Sequence, residues 1–459
     1  MKLAAETDAD SFSHTPYGGY IARFAEASDN LMRTMEGFGV EVQSAGEHRA
    51  ERERVRVLRD SLVSRGARLR NGGKSLVCGP LSPACARCRT GVRSVSTFLS
   101  LACDRDCWFC FNPNQHDYER YRHQAKDWRA ELEDLADRLG GLDFIALTGG
   151  EPLLDPEVTL DFICYARSLA PDSHIRLYTS GGAADGTLME RLAQAGLDEV
   201  RFSIKLEDDP GRQQAVRGLM REAAGSIPAV MVEMPVIPGT GASMAELLED
   251  LDRLGIFGMN LLELCFPLHN AEAFRERGLK LKRHPYRVPY SYGYAGALPV
   301  AGSEELALGL MDEAMAGGTS LSLHWCSLEN KNTAQIYGQN AGGAWDIPPY
   351  RFSLRSLFYE VVRAFGEDAA FCRQRLEGGI HPFELDDAGT MIAFDPAALA
   401  LFAPEDAARH RLWLASAVVE EDGRGKRRFR EVGLAALEPE DLADGGIGAP
   451  VSFRDEDGL

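Results

Sequence analysis

Three cysteines suggest the chemistry of this sequence: Cys103-x3-Cys107-x2-Cys110, in the stretch LACDRDCWFCFNPNQ. Thiolates are soft ligands, and three at this spacing in one loop reach three corners of a cube-shaped iron–sulfur cluster. Three ligands leave one iron open, which is what a catalytic metal site needs. A structural zinc site would want a fourth ligand and usually comes as two CxxC pairs. A second set, Cys78-x6-Cys85-x2-Cys88, lies upstream and also has ligand spacing. The third signal is Thr148-Gly149-Gly150-Glu151-Pro152, directly after the apolar run 144–147. Glycines at a strand tip let a ligand approach the backbone, and the Glu151 carboxylate can accept hydrogen bonds from an ammonium group.

These groups need a scaffold that gathers separate loops. Over residues 92–326 short apolar runs alternate with amphipathic stretches. Strands are expected at 95–101, 144–147, 175–178, 199–204, 229–236, 260–265 and 320–325, with helices between them. That order predicts an α/β fold, a partial (β/α)6-type parallel barrel whose chemistry sits on the loops after the strands. Around it, residues 1–75 read as a helical N-terminal extension and 76–92 as the loop of the upstream cysteines. Residues 93–345 read as the barrel and 346–459 as a small acidic α+β region. In the last, a helix is expected at 352–365 and hairpin turns at 386–389 and 422–425. Residues 266–299 break the βα pattern and predict a long loop over the barrel mouth. Glu263, at a strand end, is a candidate for proton transfer, and Tyr292 of PYSYGY is a candidate to close over substrate.

The chain has 459 residues, 45% hydrophobic and 26% charged. These are values of a globular protein with a large core rather than a disordered one. No apolar run of 18 residues predicts a membrane span. The first ten residues lack the basic and apolar regions of a secretory signal, so a cytoplasmic protein with reduced thiols is expected. A net charge of -19 argues against a nucleic-acid surface. Residues 49–105 are the exception, with 13 Lys and Arg against 4 Asp and Glu.

The CxxxCxxC and GGEP motifs, in that order on a βα scaffold, resemble the radical SAM superfamily over about residues 95–326. The resemblance implies a 4Fe-4S cluster on Cys103, Cys107 and Cys110, with S-adenosylmethionine (SAM) chelating the open iron. It places Phe109 beside the adenine, and Gly149, Gly150 and Glu151 at the methionine amino group. Ser203 and Lys205, in VRFSIK, resemble the contact to the SAM carboxylate or ribose, and Ile237, in VIPG, the adenine contact. The implied reaction is reductive cleavage of SAM to a 5′-deoxyadenosyl radical, which abstracts hydrogen from a substrate. A flavodoxin or ferredoxin-type protein would supply the electron. Arg87, Arg89, Arg93 and Arg105, among the cysteines, could offset cluster charge and dock that acidic donor.

The upstream cysteines resemble a branch related to pyruvate formate-lyase activating enzymes, with a Cys-x2-Cys before the SAM loop and an HYCS-like strand end after it. The counterparts are Cys85, Cys88 and His324-Trp325-Cys326-Ser327. This implies a second, auxiliary 4Fe-4S cluster on Cys78, Cys85, Cys88 and Cys326, with Cys265 and Cys372 in reserve. A zinc knuckle closed by Cys326 is the alternative. Cys164 is expected in the core. The expected substrate is a peptide or a small natural-product precursor. Two other functions fit the cysteines: sulfur insertion with a sacrificial auxiliary cluster, as in lipoyl synthases, and non-catalytic electron transfer.

Overall fold

The structure, a computed structural model, describes residues 2–3, 15, 17–182, 184–289, 296–341, 347–442 and 447. Its contacts divide into two units, one of residues 40–283 and 295–334, the other of 1–39, 284–294 and 335–459.

The first unit is built on a nine-stranded sheet. In chain order its strands are β1 (Arg68–Arg70), β2 (Ser75–Cys78), β3 (Ser94–Phe98), β4 (Phe144–Thr148), β5 (His174–Thr179), β6 (Glu199–Phe202), β7 (Ala229–Val236), β8 (Gly258–Glu263) and β9 (Ser322–Cys326). In space the order is β1-β2-β9-β8-β7-β6-β5-β4-β3. β3 to β9 run parallel, each beside its predecessor in the chain. β2 joins β9 antiparallel, and β1 joins β2. The parallel core expected from the βα alternation is therefore present.

Four of the crossover helices open on an aspartate N-cap. Asp127, Asp155, Asp185 and Asp209 each accept a backbone N–H in the first turn of Trp128–Leu139, Pro156–Leu169, Gly186–Gln194 and Pro210–Ala223. Such a cap contributes about 1 kcal/mol and fixes where the chain leaves the loop. Alternate strand residues divide the sheet into two faces. Ile145, Leu147, Ile175, Leu177, Val200, Phe202, Val230 and Val232 pack with helix residues in one apolar core. The intervening positions of β5 to β9 carry Arg176, Tyr178, Glu199, Arg201, Glu233, Asn260 and His324 on the opposite face.

The first unit begins at residue 40. The helix Ala45–Ser64, opened by a Ser44–Glu47 capping box, pairs with the helix Ser303–Ala316 through Arg54–Glu305, Arg59–Glu304 and Arg65–Asp312. Much of the basic segment's charge is thus neutralised within its own unit.

The second unit holds a seven-stranded antiparallel sheet, in the order Lys2–Leu3, Arg427–Ala436, Trp413–Glu421, Tyr359–Phe365, Met391–Phe394, Phe383–Leu385, with Arg351–Phe352 also on Tyr359–Phe365. The helix Gly18–Gly37 buries Ile21 and Phe24 against Val361, Phe365 and Trp413. The expected helix at 352–365 is overturned: Tyr359–Phe365 is a central strand. Its residues are buried on both faces, so no two-residue alternation marks it in the sequence. Both hairpins form, closed by Gly389 N–H to Asp386 O and Gly425 N–H to Asp422 O. Among the described residues no helix is long and apolar enough to cross a membrane.

Candidate functional site

The Cys103–Cys110 loop leaves the C-terminal end of β3. Cys110 N–H donates to Cys107 O at 3.0 Å, which folds the last two cysteines into a turn. Neighbouring segments hold that turn from several sides. Asn112 Nδ2 donates to Gly149 O at 2.6 Å, and Asn270 Nδ2 donates to Trp108 O at 3.0 Å. A His269 ring nitrogen stands 3.1 Å from Cys110 O. Arg105 is drawn onto Asp208, with one nitrogen 2.7 and 2.8 Å from its two oxygens. The three thiols share one electrostatic environment. Burial pushes Cys103 and Cys110 up, and Cys107 adds to both. Lys205 opposes the shift at Cys110.

The GGEP turn is built against this loop. Glu151 N–H donates to Ala102 O at 2.8 Å, and Gly150 N–H donates to Ser100 O. A Cβ on Gly150 would lie 1.8 Å from Ala102 O, and one on Gly149 would lie 2.4 Å from Phe98 Cβ. Only glycine allows this approach, because the obstruction at Gly150 is backbone. Gly150→Ala must therefore displace the chain immediately before Cys103. It should slow SAM cleavage about a hundredfold, the cost of a shift of roughly 1 Å near the reacting groups. Gly218→Ala, with nothing within 4 Å, should leave the rate unchanged in the same assay.

Glu151 is fully engaged within the protein. Its carboxylate is buried and accepts from Leu153 N (3.1 Å), Thr179 Oγ1 (2.7 Å), Ser180 N (2.6 Å) and Ser180 Oγ (2.8 Å). Four donors fill the acceptor capacity of a carboxylate. Glu151 therefore ties the tips of β4 and β5 together. Lys205 Nζ donates to Ser203 Oγ at 2.7 Å and stands 5.4 Å from the Phe109 ring centre. Ile237 follows β7, its carbonyl capped by Thr240 N and Oγ1.

The second cysteine set is split by the sheet. Cys85 lies on the short helix Pro83–Arg87, and its sulfur accepts from Arg201 Nη2 at 3.3 Å and Asn260 Nδ2 at 3.4 Å. Burial opposes ionisation of this thiol, but Arg201 and His324 outweigh it and bring its pKa down to about 6. Cys88 ends the helix beside Arg176 and Arg201. Cys326 ends β9 and accepts from Asn330 Nδ2 at 3.2 Å. Its pKa is pushed up to about 12 by burial, with Lys331 opposing and Cys88 and Cys85 contributing. Cys78 does not belong with them. It pairs with Leu323, whereas Cys326 pairs with Ser75, so Cys78 and Cys326 occupy opposite faces. The Cys78 thiol stands 3.1 Å from Met315 Sδ, in the core packed by the helices. Cys372 is buried in the second unit's core, and Cys164 is exposed rather than in the core.

A charged network surrounds Cys85 and Cys88. Arg201 pairs with Glu199 and, at 2.6 Å, with Glu233. Ser82 Oγ donates to Glu199 at 2.6 Å, and His324 bridges Ser75 and Asn260. Arg176 is 8% exposed, and its Nε has no hydrogen-bond partner among the described residues. A buried guanidinium nitrogen left without a partner is costly, so a group of net negative charge, such as a thiolate-ligated cluster, suits this position. Among the described residues no three Cys, His, Asp or Glu side chains converge closely enough to hold a single metal ion.

Glu263 is buried, 3.4 Å from Lys282 Nζ and accepting Leu328 N–H at 2.8 Å. It holds the turn after β9, and burial raises its pKa. Tyr292 lies outside the described residues. Arg87 and Arg93 both face Asp143, at 3.8 and 3.2 Å, and Arg89 is buried. Arg105 is on Asp208.

The description "Radical SAM superfamily" matches residues 98–251. A Methanocaldococcus jannaschii protein provisionally named as a glycyl-radical enzyme activating enzyme is 24% identical over 262 residues, which are 56% of this chain and 66% of that protein. PqqA peptide cyclase of Gluconobacter oxydans is 29% identical over 143 residues, 31% of this chain and 38% of the cyclase. The chain thus spans less than two thirds of the length of either relative. Streptococcus suis SuiB, solved bound to precursor peptide SuiA, shares 16% identity over 55% of this chain and 52% of its own, with a TM-score of 0.36.

Proposed function

The chain belongs to the radical SAM superfamily and is an enzyme of that class, and from that premise we propose that it generates a 5′-deoxyadenosyl radical to abstract hydrogen from a peptide or related precursor, assisted by an auxiliary 4Fe-4S cluster. The observation that carries this reading is the Gly149-Gly150 turn, backed onto Ala102 beside Cys103. Cys103, Cys107 and Cys110 would hold the first 4Fe-4S cluster, and their shared electrostatic environment suits that group. When bound, that cluster and SAM supply the electron transfer and the C–S cleavage that yield the radical.

The chain's own residues bind and orient. The backbone of Gly149 and Gly150 receives the SAM ammonium group. Lys205, steadied by Ser203, faces its carboxylate or ribose, and Phe109 and Ile237 flank the adenine. These contacts would orient the sulfonium for cleavage. A flavodoxin or ferredoxin-type donor supplies the electron. The names of the two relatives, an activating enzyme and a peptide cyclase, support a protein or peptide substrate.

Anaerobic reconstitution should give about eight irons per chain if both clusters are 4Fe-4S, and SAM with dithionite should give 5′-deoxyadenosine. Cys326→Ala should lower the iron to about four while SAM cleavage persists. Wild-type protein with about four irons and tightly bound zinc would remove the auxiliary cluster from this reading.

A further inference from the structure

The upstream motif carries three cysteines, yet the sheet presents only two of them to Cys326. We propose that the auxiliary cluster is held by Cys85, Cys88 and Cys326 alone, leaving its fourth iron for an anionic ligand that enters beside Lys331. The proposal rests on the auxiliary-cluster reading above and concerns which residues serve it.

The register fixes the membership. Cys85 is level with Asn260, which donates to its sulfur. Asn260 pairs with His324, and Cys326 pairs with Leu262. Cys326 therefore stands two residues beyond the Cys85 level, a rise of about 6.6 Å along the strand and the scale of a cubane cluster. Cys78 is on the other face, against Met315. Cys265 lies three residues past Leu262, where the chain has left the parallel sheet to pair with Leu298–Pro299. Its thiol donates to Glu263 O at 3.1 Å. Cys78 completes no fourth corner on the side shared by Cys85, Cys88 and Cys326, and Cys265, although within electrostatic reach of Cys326, has its thiol committed to Glu263 O.

Lys331 indicates the class of ligand. It ends the short helix Leu328–Lys331 after Cys326 and lies within the electrostatic reach of Cys265 and Cys326. Its Nζ is 6.0 Å from the centre of the Phe111 ring, which directly follows Cys110. Among the described residues its ammonium forms no hydrogen bond or ion pair. An ammonium between the two cysteine sets favours an anionic donor such as a substrate carboxylate.

The test uses the full chain with Cys103, Cys107 and Cys110 all replaced by alanine, reconstituted anaerobically, so that only the auxiliary cluster is read. About four irons should remain. Adding Cys78→Ala or Cys265→Ala should change neither the iron count nor the electron paramagnetic resonance spectrum of the reduced cluster. Adding Cys88→Ser or Cys326→Ser should remove the cluster. Cyanide, as the anionic probe, should shift that spectrum, and Lys331→Met should weaken cyanide binding about tenfold. Loss of iron on Cys78→Ala or Cys265→Ala, or a spectrum indifferent to cyanide, would overturn the three-cysteine assignment. An iron-free background chain would instead overturn the auxiliary-cluster reading itself.

Discussion

Alanine at Cys107 should abolish release of 5′-deoxyadenosine from SAM, a fall of more than about a thousandfold and so at least about 4 kcal/mol of lost transition-state stabilisation. Cys107 is the middle thiol of its loop. It acts on both Cys103 and Cys110, and its carbonyl receives the Cys110 N–H. Without it, two thiolates remain to hold a cluster that also needs an open iron. Chromatography of the SAM products with excess dithionite reads the effect directly. Cys164→Ala, at an exposed helix position, is the matched control and should cleave SAM at the wild-type rate. Cleavage surviving in Cys107→Ala would end the assignment of the loop.

The second large effect is on stability. Arg201→Met should lower it by about 3–5 kcal/mol, because it leaves buried carboxylates without their counter-charge. Arg201 is 3% exposed and pairs with both Glu199 and Glu233. Arg176→Met is the informative contrast. Arg176 is also buried but has no partner at Nε among the described residues, so its removal from cluster-free protein should cost less than about 1 kcal/mol or even stabilise. Urea unfolding followed by circular dichroism compares the two. Equal midpoints for both variants would show that the Arg201 network does not hold the barrel.

The barrel and the first cysteine loop were legible because their signals are local. Strand and helix alternate with a period that the sequence displays, and CxxxCxxC needs no partner to be seen. Glu199, Arg201, Ser203 and Lys205 alternate with apolar residues in EVRFSIK, so the buried pair Glu199–Arg201 was visible as a pattern but not as a network. Its partners Ser82, Glu233 and Asn260 are up to 119 and 175 residues away from Arg201 and Cys85. The fate of Cys78 was not legible, because it depends on a strand register set by β9. The β-structure of 359–365 was hidden by burial on both faces. Glu151 kept its place at the strand tip, but its four donors come from residues that no motif marks.

The antiparallel seat of β2 against β9 also sets a clock. Ser75 and His324, which touch across it, are 249 residues apart in the chain. At roughly 5–20 residues per second of synthesis, the N-terminal hairpin waits about 12–50 s for its neighbour to leave the ribosome. β3 to β8 can assemble meanwhile, each strand on the one before it. Cys85 and Cys88, which follow the waiting hairpin in the chain, are therefore joined by Cys326 only when β9 docks.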